Sequence, residues 1–272
     1  MYRGIKARPH DLESVLALNP DLIEIHASSE DLSKPITGHY DQRLVVHLPE
    51  YDGTDLIDPA SLDDTNRYKA IEFYKKAFDV AREWSTHFKG QPKVIMHPGG
   101  WSAEPVQKIQ KPLLYDAFVN SMREINMHGV DFLVENMPPN PFFYGGQWYC
   151  SIFMDPRECL DYCAGNGYGF CWDACHAALW CNSIGMPEKI LDFMRKVKPI
   201  MAHVHLSDAK DVAGEGIQIG EGTMPLKEII RYLEPMQIGV VLEIWYGHKD
   251  NFRGFKIGWE RLDAMLEKES AS

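Results

Sequence analysis

Imidazole and carboxylate side chains recur in this sequence at the ends of short apolar runs. The densest instance is Met201–Glu221, MAHVHLSDAKDVAGEGIQIGE. His203 and His205 stand two residues apart in an apolar run, so on a strand both leave from the same face. Ser207, Asp208 and Lys210 follow in an acidic, Gly-rich loop. Other runs deliver matching groups: His47 in LVVHLPE, His97 in VIMHPGG, Glu135 and Asn136 in FLVEN, Asp173 and His176 in FCWDACH, and Glu243 in VVLEIW. A lone histidine at a strand end is ordinarily a hydrogen-bonded structural residue, and a Glu beside Asn can cap the next helix. A carboxylate inside a run such as Phe132–Glu135 or Val240–Ile244, however, is costly to bury unless it is paired or bound to a cation. Two such carboxylates, an Asp and several histidines together point to a metal site. An oxygen-rich set with one or two imidazoles suits Mn²⁺, Mg²⁺, Co²⁺ or Zn²⁺, and residue types do not choose among them.

These groups must be positioned by the elements around them. Apolar runs bounded by turn signals read as strands at Arg3–Ala7, Leu22–His26, Leu44–Leu48, Lys93–His97, Asp131–Glu135, Gly169–Asp173, Ala202–Leu206 and Val240–Ile244. Most are short and unalternating, as parallel strands covered on both faces should be. Helical periodicity predicts helices at Asn66–Phe88, Leu114–His128, Pro187–Val197, Pro225–Leu233 and Trp259–Glu267, with another from Asp155-Pro156 to about Cys163. The segment after Leu22–His26 is weak in helical signal, which predicts an irregular crossover. Eightfold strand–helix alternation reads as an α/β protein with a single (β/α)8 TIM barrel, rivalled by a doubly wound open sheet. No Gly-rich phosphate fingerprint follows the first strands, which weakens the rival. The 272 residues show no linker or composition break, so one domain over residues 1–272 is expected.

Composition narrows the class. With 39 acidic against 28 basic residues the net charge is -11, which argues against a long nucleic-acid ligand. No apolar run of about 18 residues suggests a membrane span, and MYRGIKARPHDLES lacks the apolar core of a secretory signal. A cytoplasmic protein is therefore expected. The six cysteines, Cys150, Cys159, Cys163, Cys171, Cys175 and Cys181, then read as free buried thiols, with a thiolate metal cluster as the alternative.

The strand-end pattern resembles the xylose-isomerase-like TIM-barrel superfamily, which includes endonuclease IV, the ketose 3-epimerases and sugar-phosphate isomerases. The resemblance runs from about His47 to Glu243 and rests on HPG at His97–Gly99, EN at Glu135-Asn136, DACH at Asp173–His176, HLSD at His205–Asp208 and IGEG at Ile219–Gly222. It implies that Glu135, Asp173, His205 and Glu243 form a metal quartet, that His176 contacts substrate or a third metal, and that His47 and His97 hold a second metal with a bridging glutamate. It also implies pairing into a homo-oligomer. Two departures stand out. The Asp-Arg-His triplet that completes the third metal site of endonuclease IV is replaced by Gly214-Glu215-Gly216, which leaves His176 without partners for a third ion. The epimerases usually place an Arg six residues after the strand-seven His, and Asp211 stands there instead.

The expected function is thus a divalent-metal-dependent isomerase or epimerase of a small sugar or sugar phosphate. Glu135 and Glu243 are the candidate bases across the substrate, working next to a carbonyl through a metal-stabilised enediolate. His176, His97, His47, Lys210, Trp101 and Trp148 are candidate substrate contacts, and Arg253 is a further candidate phosphate anchor. The alternatives are an endonuclease IV-like phosphoesterase, a sugar dehydratase and a non-catalytic sugar-binding barrel. Pro138–Trp148, PPNPFFYGGQW, reads as an aromatic loop over the barrel mouth with Gly145-Gly146 as a lid hinge, and Trp172, Trp245 and Tyr246 are expected to add rings to that mouth.

Overall fold

The computed structural model describes residues 1–105, 110–143 and 146–267. Eight strands form its centre: β1 (Tyr2–Ala7), β2 (Leu22–His26), β3 (Arg43–His47), β4 (Lys89–Met96), β5 (Asp131–Glu135), β6 (Gly169–Asp173), β7 (Met201–Leu206) and β8 (Gly239–Leu242). Every neighbouring pair is parallel, and β1 pairs with both β2 and β8, which closes a (β/α)8 barrel and rules out the open sheet. The expected strands coincide with these to within a few residues.

The helices are α1 (Leu12–Leu16), α2 (Asp64–Ser85), α3 (Lys111–Arg123), α4 (Pro156–Asn166), α5 (Ala174–Ser183), α6 (Ile190–Val197), α7 (Leu226–Leu233) and α8 (Lys249–Glu267). In α2 the Asp63 carboxylate accepts the Asn66 N–H, and Ala70, Ile71, Tyr74, Ala77, Phe78, Ala81 and Trp84 form the buried stripe that packs it on the barrel. After β2 the crossover holds a single 3-10 turn, Asp31–Ser33, in place of a helix. Two helices escape sequence reading. Helix α1 has only five residues. Helix α5, ACHAALWCNS, is buried nearly all round, so it carries no amphipathic stripe to detect.

Strand alternation sorts the barrel interior into layers. Leu22, Val45, Ile95, Leu133, Cys171 and Val241 form one interior apolar cluster, with Tyr2 and Ala202 packed against it. Two residues further along their strands come Glu24, His47, His97, Glu135, Asp173 and Glu243, on the same inward face by period two. An apolar plug thus closes the barrel below a polar layer at the C-terminal ends. The same alternation turns Trp172 outward between Cys171 and Asp173; it is fully buried in the layer between strands and helices and adds no ring to the mouth. All six cysteines are free and buried. Burial pushes the thiols of Cys150, Cys159 and Cys175 well up, and no cysteine joins a potential ion-binding group among the described residues. No helix among the described residues is long and apolar enough to cross a membrane.

Candidate active site

The polar layer converges on His205. Its Nδ1 lies 2.9 Å from a Glu243 oxygen, 3.1 Å from Glu135 and 4.0 Å from Asp173. Ligand atoms of Glu135, Asp173, His205 and Glu243 all lie within 4.8 Å of one another, each delivered by a different strand end. Burial opposes ionisation of Glu135, but His205 and His97 hold its carboxyl well below the usual range. Glu243 is likewise held low against burial, by Lys6 and His205. Asp173 is pushed up to about 7 by burial and by the charges of Glu135 and Glu243, against the pull of His176. Three carboxylates crowd one imidazole, and a bound cation would offset the negative charge that helps raise Asp173. The donor set therefore fits a divalent ion.

A second group adjoins the first through Glu135. His47 Nε2 and His97 Nε2 lie 3.1 Å and 3.5 Å from the same Glu135 oxygen. Glu50 stands behind them, 3.2 Å from His97 Nδ1 and 3.7 Å from His26 Nε2. Sequence reading missed Glu50 and His26, because neither is distinguished from an ordinary loop acid or strand-end histidine until the strands are side by side.

The helix cap of α5 orients His176. The Asp173 carboxylate accepts the His176 backbone N–H at 2.6 Å, and the His176 Nδ1 lies 2.9 Å from the Asn136 carbonyl oxygen. Asn136 uses its amide to bridge strands: it donates to the Asp173 carbonyl at 2.9 Å and accepts the Asp173 N–H at 2.8 Å. His176 has a further acidic neighbour, while it joins no potential ion-binding group among the described residues. Glu215, on the hairpin formed by Asp208–Lys210 and Gly214–Ile217, brings a carboxylate oxygen to 3.4 Å from Nε2. Its neighbour Gly216 has φ +62 and packs so closely on Trp245 that a Cβ would lie 2.1 Å from that ring, so no side chain fits there.

Two more residues were missed, and both come from the first strands. Lys6 on β1 forms an ion pair with Glu243 and lies 3.4 Å from Glu24. Glu24, fully buried on β2, lies 2.9 Å from Nε2 of both His203 and His205. A carboxylate on the far nitrogen of an imidazole fixes which nitrogen is free to bind an ion. Its only local signal is an acidic residue within the apolar run LIEIH. Glu24→Gln is expected to weaken Mn²⁺ binding by about 10- to 100-fold. Titration calorimetry on the folded variant checks this, and unchanged affinity would reduce Glu24 to a purely structural residue.

The remaining candidates line the surroundings. Trp101 and Trp148 share a satellite cluster with Met137 and Cys150 and line a cavity of about 470 Å³ whose wall also carries Asp52, Asp55 and Asp58. Lys210 is exposed on the hairpin, and Trp245 and Tyr246 are exposed at the β8 end. Gly145 of the expected lid hinge lies outside the described residues.

The model of the xylose isomerase-like TIM barrel matches residues 9–265. The chain belongs to that family. A D-tagatose 3-epimerase-like protein superposes with a TM-score of 0.70 at 21% identity, over 98% of this chain and 99% of the other. Endonuclease IV from Thermus thermophilus superposes at 0.64 and 16% identity, over 98% and 100%. At these identities the likeness concerns the fold. A segment of 61 residues, 22% of this chain, is 36% identical to the lipolysis-activating peptide 1-alpha chain of Buthus occitanus tunetanus and spans 58% of that protein.

Proposed function

We propose that this family member is a divalent-metal-dependent isomerase or epimerase acting on a small sugar by proton transfer next to a carbonyl. The observation that carries the reading is the pair Glu135 and Glu243, both kept ionised and both within 3.1 Å of His205 Nδ1. Glu135, Asp173, His205 and Glu243 would hold the ion, which would supply Lewis acidity to the carbonyl and a neighbouring hydroxyl. One glutamate takes the proton from the carbon; in an isomerisation the same group returns it to the neighbouring carbon, and in an epimerisation the opposite glutamate, protonated from solvent, delivers one to the other face. His176, anchored through Nδ1, keeps Nε2 available for a sugar oxygen in competition with Glu215. Lys6 forms an ion pair with Glu243 and holds it in place. The epimerase-like protein of similar fold supports this reading. A second reading, hydrolysis of a phosphoester, draws support from His47 and His97 meeting on one Glu135 oxygen, where a second ion would sit.

Metal content per chain, measured beside solvent deuterium incorporation into ketoses and ketose phosphates, separates the two. One ion with deuterium entering next to the carbonyl is the expected result. Two firmly held ions, no exchange and cleavage of a phosphodiester would replace it with the hydrolase.

A further inference from the structure

A cavity of about 520 Å³ opens beside Glu243, between the ends of β1 and β8, and the proton transfer above uses little of its wall. That wall carries Lys6, Arg8, His10, His26 and His248, with Asp11 and Glu243 as its acidic members. The arrangement follows from the segment KARPH. Arg8 is still extended, at φ -101 and ψ 163, so two residues beyond Lys6 it leaves on the same side. The 3-10 turn Pro9–Asp11 then brings His10 to the rim.

Both acidic groups are otherwise engaged. Asp11 accepts the Arg8 backbone N–H at 3.0 Å and lies 3.6 Å from His10 Nε2, while Glu243 faces Lys6 and His205. The Arg8 guanidinium lies 3.4 Å from Asp31. That carboxylate already accepts from Lys34 Nζ at 2.7 Å and from the Ser28 N–H and O–H at 3.0 and 2.9 Å, so it does not cancel the Arg8 charge. Lys6 is matched by Glu243, so Arg8 is the cation left over in this wall, with the exposed imidazoles of His10 and His248 beside it, in a chain of net charge -11. The cavity beside Trp101 has the opposite character, with Asp52, Asp55 and Asp58 against Lys69.

We infer that the cavity between β1 and β8 binds an anionic group of the substrate, phosphate or carboxylate, with Arg8 as the principal donor and His10 and His248 beside it. The substrate is then a sugar carrying an acidic group. A guanidinium offers paired N–H donors to either oxyanion, and a charge-assisted contact of this kind separates acidic from neutral sugars by about tenfold or more.

The inference rests on the isomerase/epimerase reading for its reaction, and the experiment keeps the two apart. The Mn²⁺-loaded full chain is assayed for deuterium exchange on a neutral ketohexose, its terminal phosphate and the corresponding keto-uronate. One acidic substrate is expected to exceed the neutral one in kcat/KM by at least about tenfold, and its identity names the group. Arg8→Gln is expected to remove that advantage through KM, leaving the neutral sugar and Mn²⁺ affinity unchanged. His248→Ala serves as the second variant should Arg8→Gln fail to fold. No preference for acid, or an equal loss on all three substrates, overturns the inference and leaves the reaction standing. If none exchanges, the reaction is wrong. Inorganic phosphate then decides the cavity alone: a rise in melting temperature for the native chain but not for Arg8→Gln sustains it, and no rise in either removes it.

Discussion

Glu135→Gln is expected to abolish exchange, by about 10³-fold or more, while preserving the fold. The substitution keeps shape and removes one charge from a fully buried group that faces His205, His47 and His97 at once. Two losses follow from that position. The proposed base disappears, and the carboxylate shared by both candidate ion-binding groups becomes an amide that binds ions poorly. Ion stoichiometry and deuterium exchange should therefore fall together, with an unchanged circular dichroism spectrum. Exchange within tenfold of the native rate would remove Glu135 from the proton transfer. Glu243→Gln should differ in kind, because it also leaves Lys6 facing an amide in a nearly buried site.

The largest stability effect is expected at Asp208, which sequence reading grouped with the chemistry of strand seven. Its carboxylate is not part of the candidate ion-binding quartet and gathers the loop after β7. It accepts the backbone N–H groups of Ala209 at 2.9 Å, Gly220 at 3.0 Å, Gly222 at 2.9 Å and Met224 at 3.1 Å, and the residue is 1% exposed. The glycines of IGEG are required by this grip. A Cβ on Gly222 would lie 2.4 Å from the Asp208 oxygen, and Gly220 has φ +82. Asp208→Ala strands four donors, and with each charged hydrogen bond contributing roughly 1.5–3 kcal/mol, a loss of about 4 kcal/mol is expected after partial rewetting of the loop. Urea unfolding measures it, and a loss below about 1 kcal/mol would show that water replaces the carboxylate. Asp208 also fixes the hairpin that carries Glu215, so the variant should loosen the contact to His176 even where it remains folded.

These two residues show what was legible locally. Eight apolar runs, their spacing and the period-two alternation are properties of short segments, so the strands, the barrel and the inward direction of Glu135, Asp173, His205 and Glu243 could be read from the chain. The carboxylates inside apolar runs signalled a site because burial of an unpaired charge is so unfavourable. The partners of those groups were not legible. Lys6 meets Glu243, 237 residues away, only because the barrel closes between β1 and β8. Glu24 reaches His205 only through the stagger of β1, β2, β7 and β8 around the ring. Helix α5 stayed hidden because it is buried on nearly every side, and Glu215 because a hairpin folds it back onto His176. The sequence by itself determined the kind of fold and the residue types from which the proposed chemistry is drawn; closure and register, which depend on contacts far apart in the chain, decided which charges face each other.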